Sequence, residues 1–330
     1  MTVCIATVCR YIYEKREGQP DDAGHIVLTA SDRMLTDEGL GIQYETGQGK
    51  WAKVATRVAI LIADSIGVHA DILRDLYVLL KDKQDVSPKY VADLYSDLIN
   101  ERRAQDAERV FLSPLKMTMK DFIKNNKALD PAIAQDLYKD ISDYEVKVEA
   151  IVCGLDKDGI AALYSVNKKG VILNHTDIGF VAIGIGAVHA VPYLMAHGFW
   201  NGWPYYDALL MTYAAKKQAE IAPGVGKATD MLFISRDNVF TLYDGLAQSL
   251  EKLYPRHQKR IRNAERTARN QLITLEQEYV AKHPPKPQIP ATSPQDESKE
   301  ASSAKGHTLS LIPAAIAGVT RSVLWTRPKL

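Results

Sequence analysis

Short apolar runs punctuated by polar turns open the chain. The run 2–9 (TVCIATVC) predicts a strand. A polar turn with Gly18, Pro20 and Gly24 follows, then a second strand over His25–Ala30 that ends in Ser31-Asp32-Arg33. Two such runs so close in sequence predict antiparallel pairing. Residues 37–50 are rich in Gly, Gln and acids and read as loop. A third strand is expected from Lys53 to Ala63; its VAILIA core has no polar alternation and predicts burial on both faces.

The period then changes. Ala70–Lys81 places Ile72, Leu73, Leu76, Leu79 and Leu80 on one side of a helix. Ser87 is a natural N-cap for the next helix, with Pro88 at its first position and Val91, Leu94, Leu98 and Ile99 behind it. The charged stretch 101–143 holds one further expected helix, Pro131–Ile141, capped by Asp130. Strands return at Val146–Leu155 and Ile160–Val166, joined by Lys157-Asp158-Gly159, a hairpin signal. A strand over Gly179–Ile183 runs through Gly184-Ile185-Gly186 into a helix ending near His197. Another helix, Pro204–Ile221, stops at Pro223-Gly224-Val225-Gly226, and strands at Asp230–Ile234 and Val239–Tyr243 follow. Strand pairs flanking helix pairs predict helices covering the outer faces of stacked antiparallel sheets, not a doubly wound parallel fold.

Beyond residue 245 the composition shifts. Residues 246–282 predict one long basic helix, with Ile261, Ala264, Ala268, Leu272, Leu275 and Tyr279 three or four apart. Residues 283–306 are Pro/Ser-rich and read as a disordered linker; 307–330 are apolar again and are expected to dock after that tether. Arg256–Arg269 carries six Lys/Arg against Glu265, which reads as a solvated helix face. The most apolar stretch, Ile178–Met195, contains three glycines, His189 and Pro192, so strand–turn–helix is preferred to a membrane span. The first residues lack the basic start of a secretory signal.

Charge and cysteine content narrow the function. The 41 Lys/Arg and 40 Asp/Glu give a net charge of +1, so no global basic excess drives nucleic-acid binding. The three cysteines, Cys4, Cys9 and Cys153, form no CxxC pair; inert core thiols in a reducing, cytoplasmic setting are expected. Neither a metal nor an organic cofactor is expected. Gly184-Ile185-Gly186 imitates a dinucleotide loop, but His189 stands where the third glycine or alanine belongs. What remains is Thr2. Removal of Met1 would leave a residue with a hydroxyl nucleophile and an amine base on one backbone unit.

Thr2-Val3-Cys4-Ile5, the strand end Ile26–Arg33, Lys53-Val54 and Phe180–Gly186 occur in the order found in the proteasome β-subunit superfamily of N-terminal-nucleophile (Ntn) hydrolases. Residues 1–245 resemble that family, and are similar to the peptidase subunit of the bacterial ATP-dependent two-component protease and to bacterial proteasome-like proteins. The resemblance implies an α+β fold, a four-layer αββα sandwich, with 101–143 as a helical insertion and a C-terminal helix and tail added. It implies Thr2 as nucleophile, Lys53 as the lysine near its oxygen and Asp32 as the acid paired with that lysine. Alignment on Arg33 would place Ser31 at the acid's position; alignment on the strand places Asp32 there. Taken singly, Lys53 and Asp32 also fit a surface lysine and a turn-closing acid. The backbone oxyanion donor falls at Ala63, with Asp64 next, and the substrate pocket near Trp51, Leu61 and Ser65. Ile185 stands where the family has serine, before Gly186. Glu220 and Pro223, before Gly224, replace its later Asp and Ser.

The implied activity is a threonine-type endopeptidase working through an acyl-enzyme. It would act on peptides or unfolded proteins inside a homo-oligomeric ring, and an ATPase partner is compatible with it. Three rival readings carry different expectations: a catalytically silent scaffold, an Ntn amidohydrolase of small amides, and a binding module built on the basic helix and apolar tail.

Overall fold

The computed structural model describes residues 2–13, 22–37, 42–47, 49–83 and 85–283. The expected linker 284–306 and the apolar segment 307–330 lie outside the described residues, as does most of the turn around Gly18. The chain divides into two units, Met1–Ala268 and Arg269–Leu330. In the first unit the strands are β1 (Cys4–Tyr13), β2 (Asp22–Asp32), β3 (Met34–Asp37), β4 (Ile42–Glu45), β5 (Trp51–Ala55), β6 (Val58–Asp64), β7 (Val148–Leu155), β8 (Ala161–Val166), β9 (Ile172–Asn174), β10 (Phe180–Ile183), β11 (Thr229–Ile234) and β12 (Val239–Thr241). Its helices are α1 (Ile66–Leu80), α2 (Pro88–Ala107), α3 (Met119–Asn125), α4 (Pro131–Asp143), α5 (Ala187–Ala196), α6 (Tyr205–Ala219) and the start of α7 (Asp244–Lys282).

The fold is α+β, with antiparallel sheets. One sheet has the order β10-β1-β2-β11-β12, the other β5-β6-β7-β8-β9; β3 and β4 form a separate small hairpin. The side-chain period of two sorts each central strand onto two cores. In β6, Val58, Ile60 and Ile62 face α1 and α2, while Ala59, Leu61 and Ala63 face the other sheet. In β1 and the residue before it, Cys4, Ala6 and Val8 meet that same inter-sheet core, while Val3, Ile5 and Cys9 face α5, α6 and Leu250 of α7. Helices thus cover the outer face of each sheet, and the VAILIA run is buried on both sides as its pattern predicts. The inter-sheet core mixes small residues such as Ala6, Ala59 and Cys153 with Leu61, Ile151, Leu163 and Ile234.

Local signals account for the element ends. Ser87 Oγ accepts from Tyr90 N–H at 3.2 Å, with Pro88 opening α2. Asp130 accepts from Ala132 N–H at 2.9 Å before α4. α1 buries Ile72, Leu76 and Leu80, one turn apart; each is worth about 1.5–3 kcal/mol. Two expectations need correction. The strand from Lys53 to Ala63 is a hairpin, β5–β6, turning at Thr56-Arg57. Part of the expected 37–50 loop is strand, in β3 and β4. The 101–143 insertion contains the end of α2, a π-helical turn (Glu108–Leu112), α3 and α4.

Leu246, Leu250 and Tyr254 pack on the α6 core, so α7 begins as part of the first unit. In the second unit, the described portion of α7 exposes Leu272, Leu275 and Tyr279. Among the described residues, no helix is long and apolar enough to cross a membrane.

Candidate active site around Thr2

Thr2 precedes β1, Asp32 ends the adjacent β2, and Lys50 immediately precedes β5 on the facing sheet. Their side chains converge in a buried cluster. Lys50 Nζ donates to Thr2 Oγ1 at 2.5 Å and to the two carboxylate oxygens of Asp32 at 3.1 and 3.2 Å. The Thr2 hydroxyl donates in turn to Asp32 Oδ1. Three backbone amides complete the shell of Asp32: Val3 N–H at 2.9 Å, and Met34 and Gly226 N–H at 3.0 Å. A buried charge persists only when paired, since the desolvation penalty is on the order of several kcal/mol per ion. Here the ammonium and carboxylate pair with each other and share one hydroxyl.

The structure brings Thr2 and Asp32 together but not Lys53. Lys53 lies within β5, exposed, and its ammonium bonds Asn238, not Thr2 or Asp32. Lys50 holds the position expected for it. The displacement follows from the β5–β6 ladder, in which Ile62 N–H donates to Lys50 O at 2.9 Å. Ser31, the alternative acid position, is buried, and its hydroxyl has no hydrogen-bond partner among the described residues.

Ladder parity separates the two oxyanion candidates. Ser65 N–H donates to Lys147 O at 3.0 Å and Leu155 N–H to Arg57 O at 3.0 Å, so odd-numbered β6 amides face β7. Ala63 N–H therefore points into the β7 ladder. Asp64 N–H points, like that of Ile62, to the side of Lys50. Asp64 has φ +74°, rare outside glycine, and is anchored by Lys168 at 2.8 Å. Behind the Ala63–Asp64 peptide, His69 Nε2 bonds Ala63 O at 2.7 Å, while Nδ1 pairs with the Tyr95 hydroxyl. Burial lowers the His69 pKa to about 4, so the ring is neutral near pH 7, donating through Nε2 and accepting at Nδ1.

Other expected site residues fall differently. Leu61 is fully buried between the sheets, with Trp51 packed against that core, so Leu61 does not wall an open pocket. Ser65 stands at the N-cap position of α1, makes no side-chain bond to the helix and is half-buried. Gly186 N–H holds Thr2 O at 3.1 Å, whereas the Ile185 side chain is exposed. Glu220 does not reach Thr2; it pairs with Lys216 and Lys217 at 2.6 and 2.8 Å. Gly224, at φ +82°, turns the loop that delivers Gly226 N–H to Asp32. Lys50, Gly226 and Lys216 were not marked by sequence reasoning; Lys50 stands between glycine-rich loop and strand, where the ladder alone assigns its facing.

Burial pushes the Cys4 and Cys9 thiols up to about 12 and raises Cys153 further, which leaves all three as thiols. Among the described residues, no group of three or more His, Cys, Asp or Glu is placed to hold a metal ion. Two surface cavities, of about 440 and 500 Å³, lie around Trp203 and around Tyr205, and neither is lined by a member of the Thr2 cluster. The chain matches no protein-family model, and no curated protein matches its sequence.

Proposed function

We propose that the chain is an N-terminal threonine hydrolase of Ntn type that cleaves peptide bonds through an acyl-enzyme. The observation that carries this reading is the contact of Lys50 Nζ with Thr2 Oγ1 inside a buried ion pair with Asp32. A buried ammonium beside a hydroxyl favours the alkoxide form of that hydroxyl. The two facing sheets, flanked by helices, are compatible with the αββα sandwich of that class.

Removal of Met1 frees the Thr2 amine. That amine, directly or through a water, takes the hydroxyl proton as Oγ1 attacks the scissile carbonyl carbon. The carbonyl oxygen becomes an anion facing Asp64 N–H, and Lys50 balances charge at Oγ1. Collapse breaks the C–N bond, the leaving amine takes the proton, and an ester on Thr2 remains. Water then adds to the ester carbon and loses its proton to the amine; collapse breaks the C–Oγ1 bond, the carboxylic acid product leaves, and Oγ1 takes that proton back from the amine. Peptides or unfolded segments are the proposed substrates, inside a homo-oligomer.

The test is hydrolysis of an unstructured protein substrate by the full chain, with product ends read by mass spectrometry. Wild type should cleave and Thr2→Ala should not. Cleavage by both would assign the activity elsewhere; cleavage of small amides alone would favour an amidohydrolase. A silent scaffold is the second reading. It is favoured by the exposed Ile185 and by Glu220 turning to Lys216, which leave Thr2 without side-chain support from those positions. It predicts Thr2→Ala and wild type to be equally inert.

A further inference from the structure

We propose that Lys216 is a positioning residue for the Thr2 centre, acting through the loop 222–227; this rests on the threonine-hydrolase reading above. Lys216 sits on the buried face of α6, one turn from Thr212 and near Ala219, and its side chain has no exposure. Its neighbour Lys217 is partly exposed. Sinking an ammonium into an alanine- and methionine-lined helix face is unfavourable unless its donors are matched. Lys216 Nζ has three partners for three hydrogens: Glu220 Oε1 at 2.6 Å, Gly226 O at 2.8 Å and Lys227 O at 3.0 Å.

Two of those partners are successive carbonyls of the loop. The amide of the same Gly226 donates to Asp32 Oδ2 at 3.0 Å. Lys216 therefore touches neither Thr2 nor Lys50, yet it fixes the backbone unit that fixes their carboxylate. Glu45 holds the far side of the loop, accepting from Lys227 and Ala228 N–H at 2.8 and 3.1 Å. Gly226 is confined between them: an added Cβ would lie 2.9 Å from Glu45 Oε1 and 3.0 Å from Met34 Cβ. An apolar side chain at 216 could fill the same volume but could not hold the two carbonyls. The loop amide would then drift from Asp32, and Lys50 with it. Reactive geometry is sensitive to such drift, a shift of about 1 Å costing on the order of a hundredfold in rate.

The experiment compares wild type and Lys216→Met as full chains, by two-step inactivation with a peptide epoxyketone. Circular dichroism checks the fold. The proposal predicts that kinact falls at least about tenfold. KI should stay unchanged, and one adduct should still form at completion. A merely structural role would lower the reactive fraction while leaving kinact of the folded molecules intact, and that result overturns the proposal. If Lys216→Met does not fold, Lys216→Arg is read instead. Its guanidinium keeps the charge but cannot place one nitrogen on all three oxygens, so a kinact equal to wild type overturns the proposal there too. A wild type that never reacts removes the hydrolase reading and this proposal together; a reactive wild type with an equally fast Lys216→Met removes this proposal alone.

Discussion

Lys50 Nζ lies 2.5 Å from Thr2 Oγ1, although the two residues are 48 positions apart and lead into strands of different sheets. Lys53, three residues on, bonds Asn238 from an exposed position. Lys50→Met should therefore slow epoxyketone labelling of Thr2 by about 10²–10³, the usual cost of losing one preorganised electrostatic contact. Lys53→Met should leave it within about twofold, as surface substitutions do. Labelling rates of the two variants, measured side by side, check the assignment; a larger loss at Lys53 would reverse it.

Asp32 is held by Lys50, Thr2 and three backbone amides without solvent exposure. Replacing it with alanine leaves the Lys50 ammonium buried and uncompensated. Asp32→Ala should lose about 3–5 kcal/mol of stability, read from urea unfolding. A loss below about 1 kcal/mol, the range of an exposed pair, would contradict the buried geometry.

The sequence pattern was informative where a local signal decides the outcome. The Ser87 and Asp130 caps, the Lys157-Asp158-Gly159 turn and the doubly buried VAILIA strand all appear where the pattern placed them. Thr2 and Asp32 were marked together through the family resemblance alone; the structure adds the antiparallel β1–β2 pairing, Cys4 opposite Ser31, that brings them together. Lys50 was not. It precedes its strand, and its facing is set by the Ile62–Lys50 backbone bond, a long-range register that side-chain periodicity does not encode. Nor does the pair Lys216-Lys217 reveal which lysine is buried; that depends on the side of α6 that meets the 222–227 loop.

His69 gives the fold a pH dependence of known sign. Its pKa is lowered by burial from 6.5 to about 4, so between those values the unfolded chain binds a proton that the folded chain does not. Stability rises with pH across that window and is lost as pH falls through it, by at most about 3 kcal/mol from this group. His69→Gln should flatten the stability profile between pH 4 and 6.5 relative to wild type. Parallel profiles for the two proteins would show that His69 titrates normally.

Gly184 abuts Thr2. Its φ is +81°, and an added Cβ would meet Thr2 O at 2.5 Å and Thr2 Cγ2 at 2.8 Å. Gly184→Ala should displace Thr2 and slow labelling by at least about tenfold. The positive φ adds roughly 1–3 kcal/mol of destabilisation. Gly67→Ala, in α1 with nothing within 4 Å of the new Cβ, is the control and should stabilise the helix by about 0.5–1 kcal/mol. Equal labelling of both variants would show that Thr2 does not depend on the Gly184 turn.

The central claim is that Thr2 is a free N-terminal nucleophile. Intact mass before and after a peptide epoxyketone, which requires both the hydroxyl and the free amine of one threonine, tests it most directly. The expected result is a chain lacking Met1 that gains one adduct, while Thr2→Ala gains none. Retention of Met1, or a cleared Thr2 that never reacts, would contradict it.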